Sequence, residues 1–287
     1  MSLQTRRRLL PWLFIGPGLL WLLVFFLYPL LNQASVSLMS GNPEQGYDLT
    51  WAFHTYWDAI ADYKEQFGRS IAYAAIATVL CLVISFPLAY FTAFHAGRFK
   101  GLILLLIILP FFMSYVLRTV AWQLILSDNG WIVSVFRTLG LVSDDGRLLA
   151  TSFAVVAGIT YNFLPFMALP LYVALEKIDR RLLEAATDLY ASRLTAFRKV
   201  TVPLALPGIF AGSLLTFIPA CGDFINAALL GTPRQYMIGN VIQSKFINIL
   251  DYPTAAALSF TLMLFILVGV FLYARLLGTR NLTEAAI

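Results

Sequence analysis

Long apolar runs separated by short polar segments dominate this chain. Six runs reach the roughly twenty residues needed to cross a hydrocarbon core. They cover residues 9–31, 71–93, 102–126, 149–175, 202–230 and 255–274. Four contain no Asp, Glu, Lys or Arg; the third holds Arg118 and the fifth holds Asp223. Backbone in lipid must satisfy its own hydrogen bonds, so the runs predict helices. The ten-residue alternation of a transmembrane barrel is not seen in the sequence. The polar segments carry weaker patterns. Residues 32–70, with "YDLTWAFHTYWDAIADYKEQF", predict short helices on the outer surface. Residues 127–148 ("NGWIVSVFRTLGL") and 231–253 ("MIGNVIQSKFINIL") predict amphipathic turns lying in the interface. With no internal repeat or soluble linker, the pattern predicts one all-α membrane domain over residues 1–287.

Composition agrees with this pattern. The chain has 287 residues, is 60% hydrophobic and carries only 12% charged residues, about half the usual charge of a soluble domain. A net charge of +5 could point to nucleic acid, but the bases are not gathered on one soluble face, so no nucleic-acid partner is expected. Their placement follows the membrane instead. With the N-terminus inside, Arg6, Arg7, Arg8, Arg98, Lys100, Lys177, Arg180, Arg181, Arg193, Arg198, Lys199, Arg275 and Arg280 fall on the inner side. Lys64, Arg69, Arg118, Arg137, Arg147, Arg234 and Lys245 fall at or toward the outer side, with most of the acids, Asp144 and Asp145 among them. Both termini are therefore expected to be cytoplasmic. The opening "TRRRLLPWLFIGPGLLWLL" is too long and lacks the cleavage site of a signal peptide, so it reads as an uncleaved span. Cys81 and Cys221 both lie in spans and build no disulfide framework. His54 and His95 have no ligand-spaced partner, so no metal is expected.

The segment from about residue 176 to 204 stands apart, because it is charged and yet helical in pattern. Asp179 can cap a helix running from residue 180 to 189. Arg181, Glu184 and Asp188 share one face, while Leu183, Ala186 and Tyr190 form another. A helix lying on lipid would carry a strongly basic polar face. Glu184 and Asp188 spoil that face, and the small Ala185 and Ala186 suit close docking into a protein groove. A plainly solvated loop is the alternative.

"EAATDLYASRLTAFRKVTVPLALPGI" (184–209) resembles the EAA loop of bacterial ABC-importer permeases, written as EAA, three residues, Gly, nine residues, then I-x-L-P. Glu184, Ala185 and Ala186 match the core. Ala191 and Ser192 match the small residues after the glycine, and Val200, Val202 and Pro203 match the end conservatively. Tyr190 stands where the family has Gly. A positive-φ turn there costs a bulky residue about 1 kcal/mol or more, so the turn is helical, shifted or strained. "YNFLPFMALPLYVALEKIDRRLLEAA", "FIPACGDFINAALLG" and "MIGNVIQSKF" narrow the resemblance to spermidine/putrescine permeases. Branches carrying phosphonate, iron or opines stay open. The resemblance implies a type I importer permease of six transmembrane helices in the bacterial inner membrane. Its cytoplasmic loop would be a coupling helix including Glu184, Ala185, Ala186, Asp188, Tyr190, Ala191 and Ser192. The implied partners are a second homologous permease, an ATPase dimer inside and an extracytoplasmic substrate-binding protein. This sequence has no GxxxxGK[ST] loop, so ATP and Mg are expected on the ATPase chains and no cofactor or catalysis on this one.

The candidate pathway residues are Asp223, Phe217, Phe224, Tyr161 and Arg118. An intramembrane carboxylate is costly and by default functional. Asp223 with an aromatic face would suit a polyammonium substrate. It could instead pair with Arg118, or sit in the outer headgroups about 27 Å above Ala205. Arg118, about 24 Å up a straight helix from Leu102, could snorkel to those headgroups or favour an anionic substrate. Tyr161 could line a path or pack. Gly208 and Gly212 form a GxxxG that permits close helix contact, within the chain or with a partner. Two other classes compete: a secondary transporter, for which one acid offers few ion carriers, and a passive assembly subunit.

Overall fold

The computed structural model describes residues 14–140, 143 and 146–277. Arg6, Arg7, Arg8, Asp144, Asp145, Arg280, the start of the first run and both chain ends lie outside the described residues. The protein is helical almost throughout. The major helices are α1 (Phe14–Val36), α2 (His54–Phe94), α3 (Lys100–Ile108), α4 (Tyr115–Leu126), α5 (Trp131–Thr138), α6 (Ser152–Glu176) and α7 (Arg180–Asp188). They continue with α8 (Arg193–Cys221), α9 (Ile225–Leu230), α10 (Ile238–Gln243) and α11 (Tyr252–Leu277). Five helices are long and apolar enough to span a membrane, and a sixth span results if the bent segment through α3 and α4 is counted as one.

Contacts group the chain into two compact units. The first holds the residues up to Asp62 together with Ile242–Thr261. Residues 39–49 depart from the expected short helices: β1 (Met39–Asn42) and β2 (Gly46–Leu49) form an antiparallel hairpin, with Met39 opposite Leu49. Gly46, at positive φ opposite Asn42, closes the three-residue turn 43–45, and Gly41, also at positive φ, sits in β1 against Tyr47. Helical patterning around the aromatic residues hid this local turn chemistry. The Tyr47 hydroxyl donates to the Leu250 carbonyl (2.7 Å), and its ring meets Tyr252 edge-on. No described residue of the apolar stretch of α1 is buried.

The second unit comprises Tyr63–Val241 and the chain from Leu262. Its centre is α6, whose side chains Val155, Ile159, Met167, Leu171 and Leu175 are fully buried. Helix α8 packs along α6 through Gly208 and Gly212. A Cβ on Gly208 would lie 2.5 Å from the Ala174 Cβ and 2.8 Å from the Pro170 carbonyl oxygen. One on Gly212 would lie 2.8 Å from the Met167 sulfur. The GxxxG is therefore used inside the chain, where small residues let two backbones approach. An apolar cluster of Ala89, Leu171, Leu175, Ile178 and Ala205 closes the C-terminal end of α6.

Two spans differ from expectation. The third is broken: a 3-10 turn, Leu109–Phe112, follows α3, and the axis bends by 97° before α4. Pro110 and the capping geometry at Ser114 interrupt the ladder there. The fifth ends at Cys221, so Asp223 lies in a break before α9. Residues 237–240 do not lie in an interface as expected. Met237, Ile238, Gly239 and Asn240 are buried, and Gly239 approaches the Gly222 carbonyl so closely that a Cβ would sit 2.5 Å from it.

Replacing Gly208 with Leu is expected to destabilise the helix pair by about 1–3 kcal/mol. Gly269→Ala, where nothing lies within 4 Å, is expected to be neutral. Cys81 and Cys221 are fully buried, so labelling by a thiol-reactive dye during heating reads the unfolding midpoint. An unchanged midpoint for Gly208→Leu would remove the close approach as a stabilising contact.

Candidate functional site

Two regions carry polar chemistry. The first is the loop joining α6 to α8. Asp179 caps α7, its carboxylate accepting the Arg181 N–H at 3.0 Å, as the sequence predicts. The C-terminal end is a complete Schellman closure. The Ala191 N–H donates to the Ala186 carbonyl (3.0 Å), and the Tyr190 N–H donates to the Thr187 carbonyl (2.9 Å). That closure requires a left-handed residue at the first position beyond the helix, and Tyr190 adopts it with φ 57°. Of the three expected outcomes the turn takes the strained one: the glycine geometry is kept without glycine, at about 1–2 kcal/mol. The left-handed step also carries Tyr190 off the apolar face predicted for it. Leu183 and Ala186 are half-buried, whereas Leu189 is 81% and Tyr190 98% exposed. Ser192 starts the next helix by accepting the Thr195 N–H (3.2 Å). Glu184, Ala185 and Asp188 face outward, and among the described residues neither acid forms an ion pair.

The loop is tied to the spans at its root. Arg180 donates to the Phe94 carbonyl at the end of α2 (3.0 Å). Lys100 at the start of α3 pairs with Glu176 at the end of α6 and lies 5.4 Å from the Tyr172 ring centre. Phe197 packs edge-on against Phe86 and Tyr90 of α2. Displacement of α7 would therefore pull on α2, α3, α6 and α8 together.

The second region surrounds the break after α8. Asp223 is buried, with 6% exposure. One carboxylate oxygen accepts the Asn226 backbone N–H (2.9 Å). The other accepts the Tyr115 hydroxyl and the Asn226 side-chain amide (2.7 Å). The network continues inward: the Asn162 amide donates to the Asn226 amide oxygen (3.2 Å) and to the Thr119 hydroxyl (3.3 Å). Side chains of α4, α6 and α9 are thereby joined by neutral donors around one carboxylate, as buried polar groups require. From α10, the Asn240 amide holds the Phe224 carbonyl at 2.7 Å.

Arg118 forms no ion pair with Asp223, and its side chain does not extend outward from the protein as snorkelling would have it. It is buried at 6% exposure, on the α4 side of the 97° bend. Its guanidinium lies 5.2 Å from the Phe111 ring centre and 5.5 Å from that of Tyr115. Its Nε and Nη1 have no hydrogen-bond partner among the described residues. Tyr115 thus lies between the carboxylate and the guanidinium.

The other pathway candidates are dispersed. Tyr161 packs against Trp122 (ring centres 5.5 Å apart). Phe217 lines an apolar groove of about 340 Å³ with Ala75, Thr78, Val79 and Tyr273. Phe224 is partly exposed. Tyr115 is the residue that sequence reasoning missed. Its signal was the "LPFFMSYVLR" break, where a Pro and a Ser cap interrupt an otherwise apolar run.

Comparison with known proteins places this architecture. Residues 85–278 match the family model of the binding-protein-dependent transport system inner membrane component. The chain is 37% identical over 243 residues to the spermidine/putrescine transport system permease protein PotB of Escherichia coli K12, covering 84% of this chain and 88% of that one. It is 36% identical over 256 residues to PotB of Haemophilus influenzae, covering 89% and 90%. A bacterial alginate ABC transporter, solved in complex with an alginate pentasaccharide-bound periplasmic protein, shares the fold with a TM-score of 0.69 and 19% identity over 96% of this chain and 98% of its own. The chain therefore belongs to the binding-protein-dependent transport system inner membrane component family, and it is an ABC-importer permease.

Proposed function

We propose that this permease imports polyamines of the spermidine/putrescine type. The observation that carries the reading is a buried carboxylate, Asp223, served only by neutral donors among the described residues. Relatives at 36–37% identity named as spermidine/putrescine permeases support it. A polyammonium substrate needs carboxylate charge and aromatic faces; Asp223 supplies the first, and Tyr115 with the nearby Phe163 (6.1 Å between ring centres) the second. An arriving ammonium would compete with the Tyr115 hydroxyl for the same carboxylate oxygen. Phe224 beside Asp223, and Tyr161 one helix away, belong to the proposed route; Phe217 lies toward the groove with α2 and α11.

The transporter would consist of this chain, a second homologous permease, two ATPase subunits on the cytoplasmic side and a substrate-binding protein outside. ATP and Mg would be held by the ATPase chains. Both termini would face the cytoplasm, as the distribution of Lys and Arg supports. Glu184, Ala185, Ala186, Asp188, Tyr190, Ala191 and Ser192 would meet the ATPase, whose closure would move α7 and switch access from outside to inside. One observation favours a second reading: Arg118, which forms no ion pair among the described residues, would suit an anionic solute.

Uptake of labelled spermidine and putrescine into cells with and without the gene, repeated after ATP depletion, tests the substrate. Loss with the gene and with ATP supports the polyamine reading; retention of uptake rejects it and turns the search to anions. Asp223→Asn keeps the acceptor for Tyr115 while removing the charge and turning an NH2 toward the Asn226 backbone N–H, so it is expected to cost about 1–3 kcal/mol of stability and, per folded molecule, to lower polyamine transport at least about tenfold. Unchanged uptake would make Asp223 a structural knot. Glu184→Lys, on an exposed side chain, is expected to preserve assembly into the membrane while separating ATP hydrolysis from uptake. Normal transport by that variant would sink the coupling assignment.

A further inference from the structure

We infer that Arg118 is a resident cation that shares the Asp223 site with the imported polyamine and, by its fixed positive charge, keeps the substrate from being trapped there. The inference rests on the polyamine reading proposed above and adds to it a residue that sets how long the substrate stays.

The way the guanidinium is held is the first support. Arg118 is buried, yet its Nε and Nη1 donate to nothing among the described residues. Buried charges are ordinarily paired and hydrogen-bonded. Here the contacts are ring faces instead, those of Phe111 at 5.2 Å and Tyr115 at 5.5 Å. Both rings belong to a continuous aromatic wall. Phe111 meets Phe166 (5.0 Å between ring centres), Phe166 meets Phe163 (5.9 Å) and Phe163 meets Tyr115 (6.1 Å). The wall ends at the Asp223 carboxylate, which accepts the Tyr115 hydroxyl. Aromatic faces beside a carboxylate are what an ammonium group seeks, and a cation of this chain already covers two of them. Arginine suits that post, because its charge survives burial, whereas a buried lysine readily loses its proton.

The division of labour between the two charges is the second support. The Asp223 oxygens are occupied by Tyr115 and Asn226, and Arg118 makes no ion pair with them. The guanidinium therefore leaves the carboxylate open to another cation, while its field still reaches across the Tyr115 ring. A desolvated carboxylate with aromatic neighbours would by itself hold a polycation tightly. A site on a transport route has to be left as readily as it is entered. Like charges about 10 Å apart, at an effective permittivity of about 20, weaken binding about tenfold. Arg118 thus lowers the affinity of the site without removing the groups that recognise the substrate. In a carrier of anions the same arginine would bind the solute, so the two readings predict opposite effects of neutralising it.

The test uses the complete transporter with wild-type, Arg118→Met and Arg118→Gln permease. Met keeps the packing of the stem, Gln keeps hydrogen-bond donors, and neither touches the bonds to Asp223. Two quantities are read: ATP-driven uptake of labelled spermidine into proteoliposomes at saturating binding protein, and equilibrium retention of labelled spermidine by the transporter in lipid nanodiscs without binding protein. Both are taken below the lowest thermal midpoint of the set, so that a destabilised variant still reports. Each neutral variant is expected to retain spermidine about tenfold more tightly and to lose about tenfold in maximal uptake. Adding Asp223→Asn to Arg118→Met is expected to abolish the gain in retention. Unchanged retention in the neutral variants overturns the inference. Weaker retention also overturns it and makes Arg118 a support of the aromatic wall. A gain that survives Asp223→Asn places the retained spermidine elsewhere and overturns it as well. Wild-type transporter that takes up no spermidine removes the polyamine reading and the inference with it, whereas wild-type uptake with unchanged retention in the variants removes the role of Arg118 alone.

Discussion

The close approach of α6 and α8 is the contact on which the rest of the protein depends. Without hydrophobic drive between helices in lipid, association rests on packing and hydrogen bonds. Gly208 and Gly212 bring the α8 backbone against Pro170 and Met167, so the two helices behave as one stiff body. The charged loop joins the ends of these same two helices. A push on α7 is therefore delivered to both members of the best-packed pair, and Arg180 and the Lys100–Glu176 pair extend it to α2 and α3. Any looser joint between α6 and α8 would absorb displacement in side-chain rearrangement before it reached Asn162 and Asn226 at the other end of the unit.

Much of this was legible in the sequence. Hydrophobic length revealed the spans, because the bilayer demands runs that no soluble fold requires. The Asp179 cap and the EAA pattern located the loop to within a residue, because caps and small docking residues are local signals. What failed to show was non-local. The third span reads as one apolar run, and its 97° bend depends on Pro110 and Ser114 acting where neighbouring helices can cover the freed backbone. The burial of Arg118 against Phe111 and Tyr115 follows from that bend and not from the sequence pattern. The partner of Asp223 was sought among the bases; it proved to be the tyrosine hydroxyl of a helix more than a hundred residues earlier. The hairpin at residues 39–49 was masked by aromatic residues that suit strands as well as helices.

Tyr115 links the two themes of the site. Its hydroxyl holds the carboxylate while its ring lies against the guanidinium. Opposite charges are separated by a single aromatic side chain at the bend of a broken helix, so a small rotation of α4 alters the surroundings of both.

The broken third span has a consequence for how the protein is made. The nine residues of α3 rise about 14 Å and the twelve of α4 about 18 Å, each well short of the hydrocarbon thickness. Neither half can be handed to lipid by itself with the backbone near Met113 and Ser114 uncovered. The side chains that satisfy α4 belong to Asn162, Asp223 and Asn226, which leave the ribosome later. Insertion of this segment must therefore wait for downstream helices, and the membrane-insertion machinery has to hold several of them at once before releasing the bundle.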